Sequence, residues 1–362
     1  MTIQPHGILR FLTGVAIFIG FPPLAWHIRS PTKNIPIIIL IFWTLFQNII
    51  KLVNSFIWFS DAELSDSWNG DIYCDIVIKL DIAAKAGQLA CVVAIMRTIG
   101  KMLRPRQKPL RTTQLRKSQW NDFTICLTIP LVMGVAHFLV QPARYDIYTI
   151  TGCSPIVDNS LPSFWLLFIW PPILAVVSSG YAVYILYRLY RWRVNKKART
   201  YNSAVVWRLF IMSISVLLLL FPLIMSTFIG YCKVELLPYN WGLIHGIEWN
   251  YIIKYPTGDK VEFSDFISVI TACIIFGAYG VNGEAWNMYR DWAEKLRLEK
   301  FYESGSALGS SASEKWWKLL RQTTRSTAQE QMECGDCGPQ AGIEVSIVDH
   351  FKIKLERFSG FL

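Results

Sequence analysis

The sequence predicts an all-α membrane protein, a seven-transmembrane helix bundle with its N-terminus outside and a cytoplasmic C-terminal tail. Three observations carry that prediction. The 362 residues include seven apolar stretches near or above the roughly 20 residues that a helix needs to cross about 30 Å of hydrocarbon. Hydrophobic residues make up 52% of the chain and charged ones only 17%, well below the share of about 25% in soluble domains. Basic residues also crowd into alternate loops, which sets an orientation through the positive-inside bias.

The spans are expected at residues 8–27, 35–59, 73–96, 120–140, 163–187, 208–230 and 263–284. The first lacks a basic leader and is long enough to remain as a helix, so it is expected to act as its own signal-anchor. The first, third and fifth loops hold seventeen Lys and Arg, with no acid among the bases of each cluster. The second, fourth and sixth hold Arg144, Lys233, Lys254 and Lys260, and the second adds Asp61, Glu63, Asp66 and Asp71. The first set therefore faces the cytoplasm. Setting topology next to anionic lipid accounts for the net charge of +10 without nucleic acid.

Spans two and three carry the costly chemistry. Charges inside a bilayer normally face the bundle interior and pair. Gln47, Lys51, Asn54 and Trp58 share one stripe of span two, and Cys74, Asp81, Lys85 and Gln88 fall on one face of span three. Asp81 and Lys85 are an i,i+4 pair, as are Asp75 and Lys79 on another face. Lys51 and Asp81 lie at similar depths, on the order of 10 Å from the outer end. Lys51, Asp81 and Lys85 are therefore expected to form a buried network under an outward-facing pocket, with a helix-packing ion cluster as the competing reading. In span four, His137 is expected to be a hydrogen-bonded packing residue. Pro22, Pro23, Pro130, Pro171, Pro172 and Pro222 kink their helices, which membrane bundles tolerate when neighbours satisfy the freed carbonyls. Span seven holds no Lys, which excludes a retinal Schiff base.

Of eight cysteines, Cys74, Cys153 and Cys232 fall at or beyond outer span ends, in an oxidising compartment. A Cys74–Cys153 bridge is favoured because it clamps the fourth loop over the bundle mouth, and Cys232 competes for either partner. Cys334 and Cys337 form a lone CxxC, too few ligands for zinc. After the last span, Trp286, Tyr289, Trp292, Leu296 and Phe301 recur at helical spacing beside basic residues. Residues 285–302 are thus expected to form an amphipathic membrane-surface helix, and 303–362 a mostly flexible tail. No phosphate loop, HExxH or GxSxG motif is present, and five scattered histidines show no ligand spacing. Neither an enzyme nor a metal site is expected.

Separated motifs carry a resemblance. Asn54 through Trp58, Trp68, Tyr73-Cys74-Asp75-Ile76, Gly87 and Arg97 are similar to the fungal lipopeptide (a-factor type) pheromone receptors. So are Pro130, the run Gln141 to Ile147, Gly152-Cys153-Ser154-Pro155, Phe276-Gly277 and Gly283-Glu284-Ala285. The likeness covers about residues 5–300. It implies a class D G-protein-coupled receptor of the plasma membrane that binds a farnesylated peptide pheromone, activates a heterotrimeric G protein and uses no cofactor. A homo-oligomer is compatible with it.

On that reading Trp58, Trp68, Tyr73, Arg144, Tyr145, Trp165 and Trp170 are expected around the ligand pocket, above Lys51, Asp81 and Lys85. For each aromatic the competing role is an interfacial belt. Arg97, Lys101, Arg104, Arg188, Arg193, Lys196 and Glu284 are expected to serve G-protein coupling, with Arg97 and Glu284 paired at rest. A transporter or ion pathway is the alternative use of intramembrane charge, but no inverted repeat is visible.

Overall fold

A computed structural model describes residues 5–30, 34–103, 112–194, 203–257, 263–281 and 288–292. Three continuous helices come first: α1 (Pro5–Arg29), α2 (Ile35–Ile57) and α3 (Asp71–Met102). Four composite helices follow: α4 (residues 112–140), α5 (161–194), α6 (203–232) and α7 (263–280). Each of these contains a five-residue π turn, at Thr124–Thr128, Phe164–Phe168, Val216–Leu220 and Phe276–Gly280.

Three of these turns end just before Pro130, Pro171 and Pro222. Proline has no N–H to give the carbonyl four residues back and clashes with it, so the helix widens there. At Pro130 the orphaned group is the Cys126 carbonyl. The Trp43 indole of α2 donates to it at 3.1 Å. Trp43 approaches because Gly87 faces it on α3; a Cβ there would lie 2.4 Å from the indole nitrogen.

Helices α1, α2, α4, α5 and α6 are long and apolar enough to cross a membrane. Helix α3 is 32 residues long but carries Asp75, Lys79, Asp81, Lys85 and Arg97 along its length. The apolar stretch of α7, Asp265–Gly280, is shorter than the others.

The all-α expectation misses a small sheet. Strands β1 (Tyr145–Tyr148), β2 (Gly152–Ser154) and β3 (Ile252–Tyr255) lie in the order β2-β1-β3, antiparallel for β1 and β2, parallel for β1 and β3. The β1–β2 turn sets Ile150 at φ 71° and Gly152 at φ 77°. A left-handed β-branched residue is strained and needs fixing. Ile150 is held by its N–H, which donates to the Trp58 carbonyl at 2.7 Å. Gly152 is required twice over, since a Cβ would also meet the Asn54 side chain at 2.6 Å.

A buried core of Trp58, Leu64, Cys74, Ile78, Tyr145, Ile147 and Cys153 fuses the sheet to the ends of α2 and α3. Residues 288–292 are helical and belong to a separate unit that begins at Val281. The remainder of the expected surface helix and the tail lie outside the described residues.

Candidate functional site

At the sheet end, the aromatic residues form a cap. The Trp58 indole is buried, donates to the Trp68 carbonyl at 2.9 Å and stacks parallel to the Trp68 ring, with Tyr73 tilted against both. The Tyr73 hydroxyl donates to Asn54 at 2.8 Å, and the Asn54 amide donates to the Thr151 carbonyl at 2.8 Å. Tyr145 is fully buried and donates to the Asn69 carbonyl at 3.0 Å. Burial pushes its phenol up to about 12. Arg144 binds Asp75 and Asp71, and the hydrogen bond to Asp75 raises the guanidinium further.

A disulfide joins Cys74 to Cys153, with the Cα atoms 5.5 Å apart, while Cys232 keeps a free, exposed thiol. Trp68 is 54% exposed beside a cleft of about 270 Å³ that Glu63 and Asp66 also line. Trp165 and Trp170 do not join this cluster. They stand exposed on α5, and Trp165 packs edge-on against Phe164.

Deeper in the bundle, Asp81 pairs with Lys85 at 2.7 Å and accepts from the Gln47 amide at 3.2 Å. Gln88 donates to Gln47 at 2.9 Å and to Thr44 at 3.2 Å. Lys51 turns to α7. It donates to the Asp265 carbonyl at 2.7 Å and faces the Asp265 carboxylate at 4.0 Å. Thr151 reaches the same carboxylate from the sheet turn at 3.5 Å.

Lys85 is the open member, with 64% of its side chain accessible against 9% for Asp265. Two ammonium groups, two carboxylates and four amide or hydroxyl side chains thus make up the polar contacts among α2, α3, α7 and the sheet turn. Such a set can accept and donate hydrogen bonds to a peptide while holding no net charge of its own.

The expected Asp75–Lys79 pair is replaced by longer-range contacts. Asp75 takes Arg144, and Lys79 donates to His137 Nδ1 at 3.1 Å and to Gln141. His137 Nε2 donates to the Ile156 carbonyl at 2.8 Å, which fixes its tautomer and satisfies both ring nitrogens.

At the opposite end, Arg97 forms an ion pair with the buried Asp122 of α4. Arg188 of α5 donates to the Leu103 carbonyl at 3.0 Å, and Lys101 is exposed. Arg104, Lys196, Glu284 and the side chain of Arg193 lie outside the described residues, and with them the expected Arg97–Glu284 pair.

Sequence reasoning missed Asp122 and Asp265. Both stand at the ends of apolar stretches, where an acid reads as a boundary marker. The available signal was that Asp122 is the lone acid of span four, and that Asp265 is the one acid near the outer end of span seven, with Glu284 at its other end. Among the described residues no cluster could hold a metal ion.

Residues 8–298 match the family model described as pheromone A receptor. The chain belongs to that family. It is 30% identical over 295 residues to the pheromone a factor receptor of Saccharomyces cerevisiae, covering 78% of this chain and 61% of that protein. It is 27% identical over 305 residues to pheromone receptor 1 of Mycosarcoma maydis, covering 78% and 82%. The pheromone M-factor receptor of Schizosaccharomyces pombe is 25% identical over 308 residues, covering 81% and 79%.

The family is one of pheromone receptors and not an enzyme family, and the match spans the long helices among the described residues. Several of the motifs that resembled the family build the cap. Asn54 and Trp58 meet the β1–β2 turn, Cys74 and Cys153 form the bridge, and Arg144 and Tyr145 tie down the loop between α4 and α5.

Proposed function

We propose that this pheromone A receptor family member is a seven-span receptor of the plasma membrane that binds a farnesylated peptide pheromone and activates a heterotrimeric G protein. The single observation that carries the reading is the charged interior beneath a disulfide-clamped cap. Lys51, Asp81, Lys85 and Asp265 are costly at membrane depth, where such charges mark functional sites. Helix α3 counts as a span on this view because Asp75, Lys79 and Arg97 contact neighbouring elements and Asp81 pairs with Lys85 within the helix. Helix α7 counts because Lys51 of α2 meets Asp265 in its first turn and Asn48 of α2 donates to the Ser268 carbonyl at 3.1 Å.

The sheet end is then outside, where a disulfide is stable, and the basic loops and tail are cytoplasmic. Residues 1–284 form the receptor bundle, 285–302 a membrane-surface helix and 303–362 the cytoplasmic tail. Lys51, Asp81 and Lys85 meet the peptide, and Trp68 and Tyr73 form the rim. Trp58, Arg144 and Tyr145 hold the cap in shape, and Trp165 and Trp170 face the lipid through which a prenyl chain arrives. Arg97, Lys101, Arg104, Arg188, Arg193, Lys196 and Glu284 receive the G protein.

The test is nucleotide exchange on a fungal Gα subunit with the receptor in vesicles. Prenylated peptide pheromones should stimulate exchange and their unprenylated forms should not. Equal potency of the two forms would remove the lipid requirement, and silence of folded receptor across the panel would remove the ligand class.

A further inference from the structure

The segment between α6 and α7 carries an apolar surface that the bundle does not use. Residues 236–244 contain no charged side chain. Leu236, Leu237, Trp241 and Leu243 are 45%, 58%, 48% and 80% exposed. Contiguous apolar surface of this kind marks an interaction site.

The segment is built rather than loose. Leu237 donates from its backbone to the Asn159 carbonyl at 2.7 Å and bridges Ser160, immediately before α5. Tyr239 donates to the Leu139 carbonyl at 2.9 Å and His245 to the Phe138 carbonyl at 3.0 Å, both at the end of α4. Asn240 caps the single-turn helix Trp241–Ile244 by accepting from Gly242 at 3.0 Å and Leu243 at 3.3 Å. These bonds hold the segment level with the adjoining ends of two spans. Those ends themselves present exposed Leu139, Leu161 and Trp165, the surface that lipid covers.

We propose that residues 236–244 lie in the bilayer interface at the sheet end, with Trp241 and Leu243 inserted among the lipids as a membrane-surface anchor. Continuity with the lipid-facing ends of α4 and α5 selects the occupant. An uncharged run with Trp and Tyr suits the headgroup boundary, where an apolar body is buried and a polar tip stays wet. The inference rests on α4 crossing the membrane and is independent of the ligand. It gives lipid a grip on the cap, because β3 follows in the same loop and pairs with β1.

The test uses a spin label at Leu243→Cys in full-length receptor whose Cys232, Cys273, Cys334 and Cys337 are serine, reconstituted in phosphatidylcholine vesicles. Labels at Val135→Cys on α4 and Glu63→Cys in the acidic loop serve as lipid and water references. Leu243 is 80% exposed, so its replacement leaves packing intact. The label at 243 should collide several-fold more with oxygen than with a water-soluble nickel chelate, as at 135 and opposite to 63. Nickel preference at 243 with oxygen preference at 135 would overturn the anchor. Nickel preference at both would overturn the spanning of α4 along with it. Dipolar broadening between labels would assign the surface to a second copy and overturn the lipid occupant.

Discussion

Asp265 is where the buried network and the cap converge, since Lys51 approaches its carboxylate from α2 and Thr151 from the sheet turn. Replacing it with Asn leaves the Lys51 bond to the backbone carbonyl but removes the counter-ion. Ligand-stimulated exchange should fall by at least about tenfold, equivalent to about 1.4 kcal/mol. Combining Lys51→Asp with Asp265→Lys should recover activity lost in each single reversal, and a double variant no better than the singles would count against the pair. Tyr145 gives a prediction in pH. Its phenol rises from an ordinary value of 10.0 to about 12 in the fold, so the neutral form is the one the fold favours. That contribution is complete below about pH 10 and is lost as pH rises toward 12. Thermal unfolding in detergent should show a loss of stability across this window that is smaller in Tyr145→Phe. An identical decline in both would place the effect elsewhere. The polar members Gln47, Lys51, Asp81, Lys85 and Gln88 were legible because helical period puts them on facing stripes. The Asp81–Lys85 pair was legible from its i,i+4 spacing, but the acid that Lys51 takes was not, because pairing across helices depends on bundle rotation that no single stripe contains.

At the scale of elements, the long helices were legible from length and hydropathy, five of them long and apolar enough to cross a membrane, and the prolines from their chemistry. The response to proline was not: the breaks at Pro130, Pro171 and Pro222 are absorbed by π turns while α1 runs through Pro22 and Pro23, and the carbonyl released at Pro130 is satisfied by a tryptophan 83 residues away in sequence. Trp43→Phe keeps an aromatic ring but leaves the Cys126 carbonyl without that donor, which should cost about 1 to 3 kcal/mol. Thermal denaturation of the detergent-solubilised protein measures it, and no change would mean that water or a relaxed backbone replaces the indole. The Arg97–Asp122 pair ties α3 to α4 at the end assigned to the G protein. A lock that must open for coupling makes its removal activating, since only a difference between states shifts their population. Asp122→Asn should therefore raise exchange without ligand, and an unchanged basal rate in protein of normal abundance would leave the pair a packing contact.

For the molecule as a whole, the sheet is the part least visible in sequence and the part that organises the rest. Its strands are three or four residues long, and β3 joins β1 across about a hundred residues, so no local period announces it. The resemblance motifs mark its anchor points without showing that they form a sheet. Through the Cys74–Cys153 bridge the sheet is fixed to α3, through Ile150 and Thr151 to α2, and through β3 to the loop that enters α7. Closing a loop across a sequence separation of 79 residues contributes about 4 kcal/mol on the chain-entropy account. Replacing either cysteine with Ala should therefore lower the unfolding temperature, and the double variant should resemble the singles because both remove one bond. If the cap presents the network beneath it to the pheromone, each variant should also lose at least about tenfold in ligand affinity, measured on receptor that remains folded at the assay temperature. Loss of stability with affinity intact would make the cap a clamp only. The ligand would then reach Lys85 and Asp81 from the lipid side, without passing Trp68 and Tyr73.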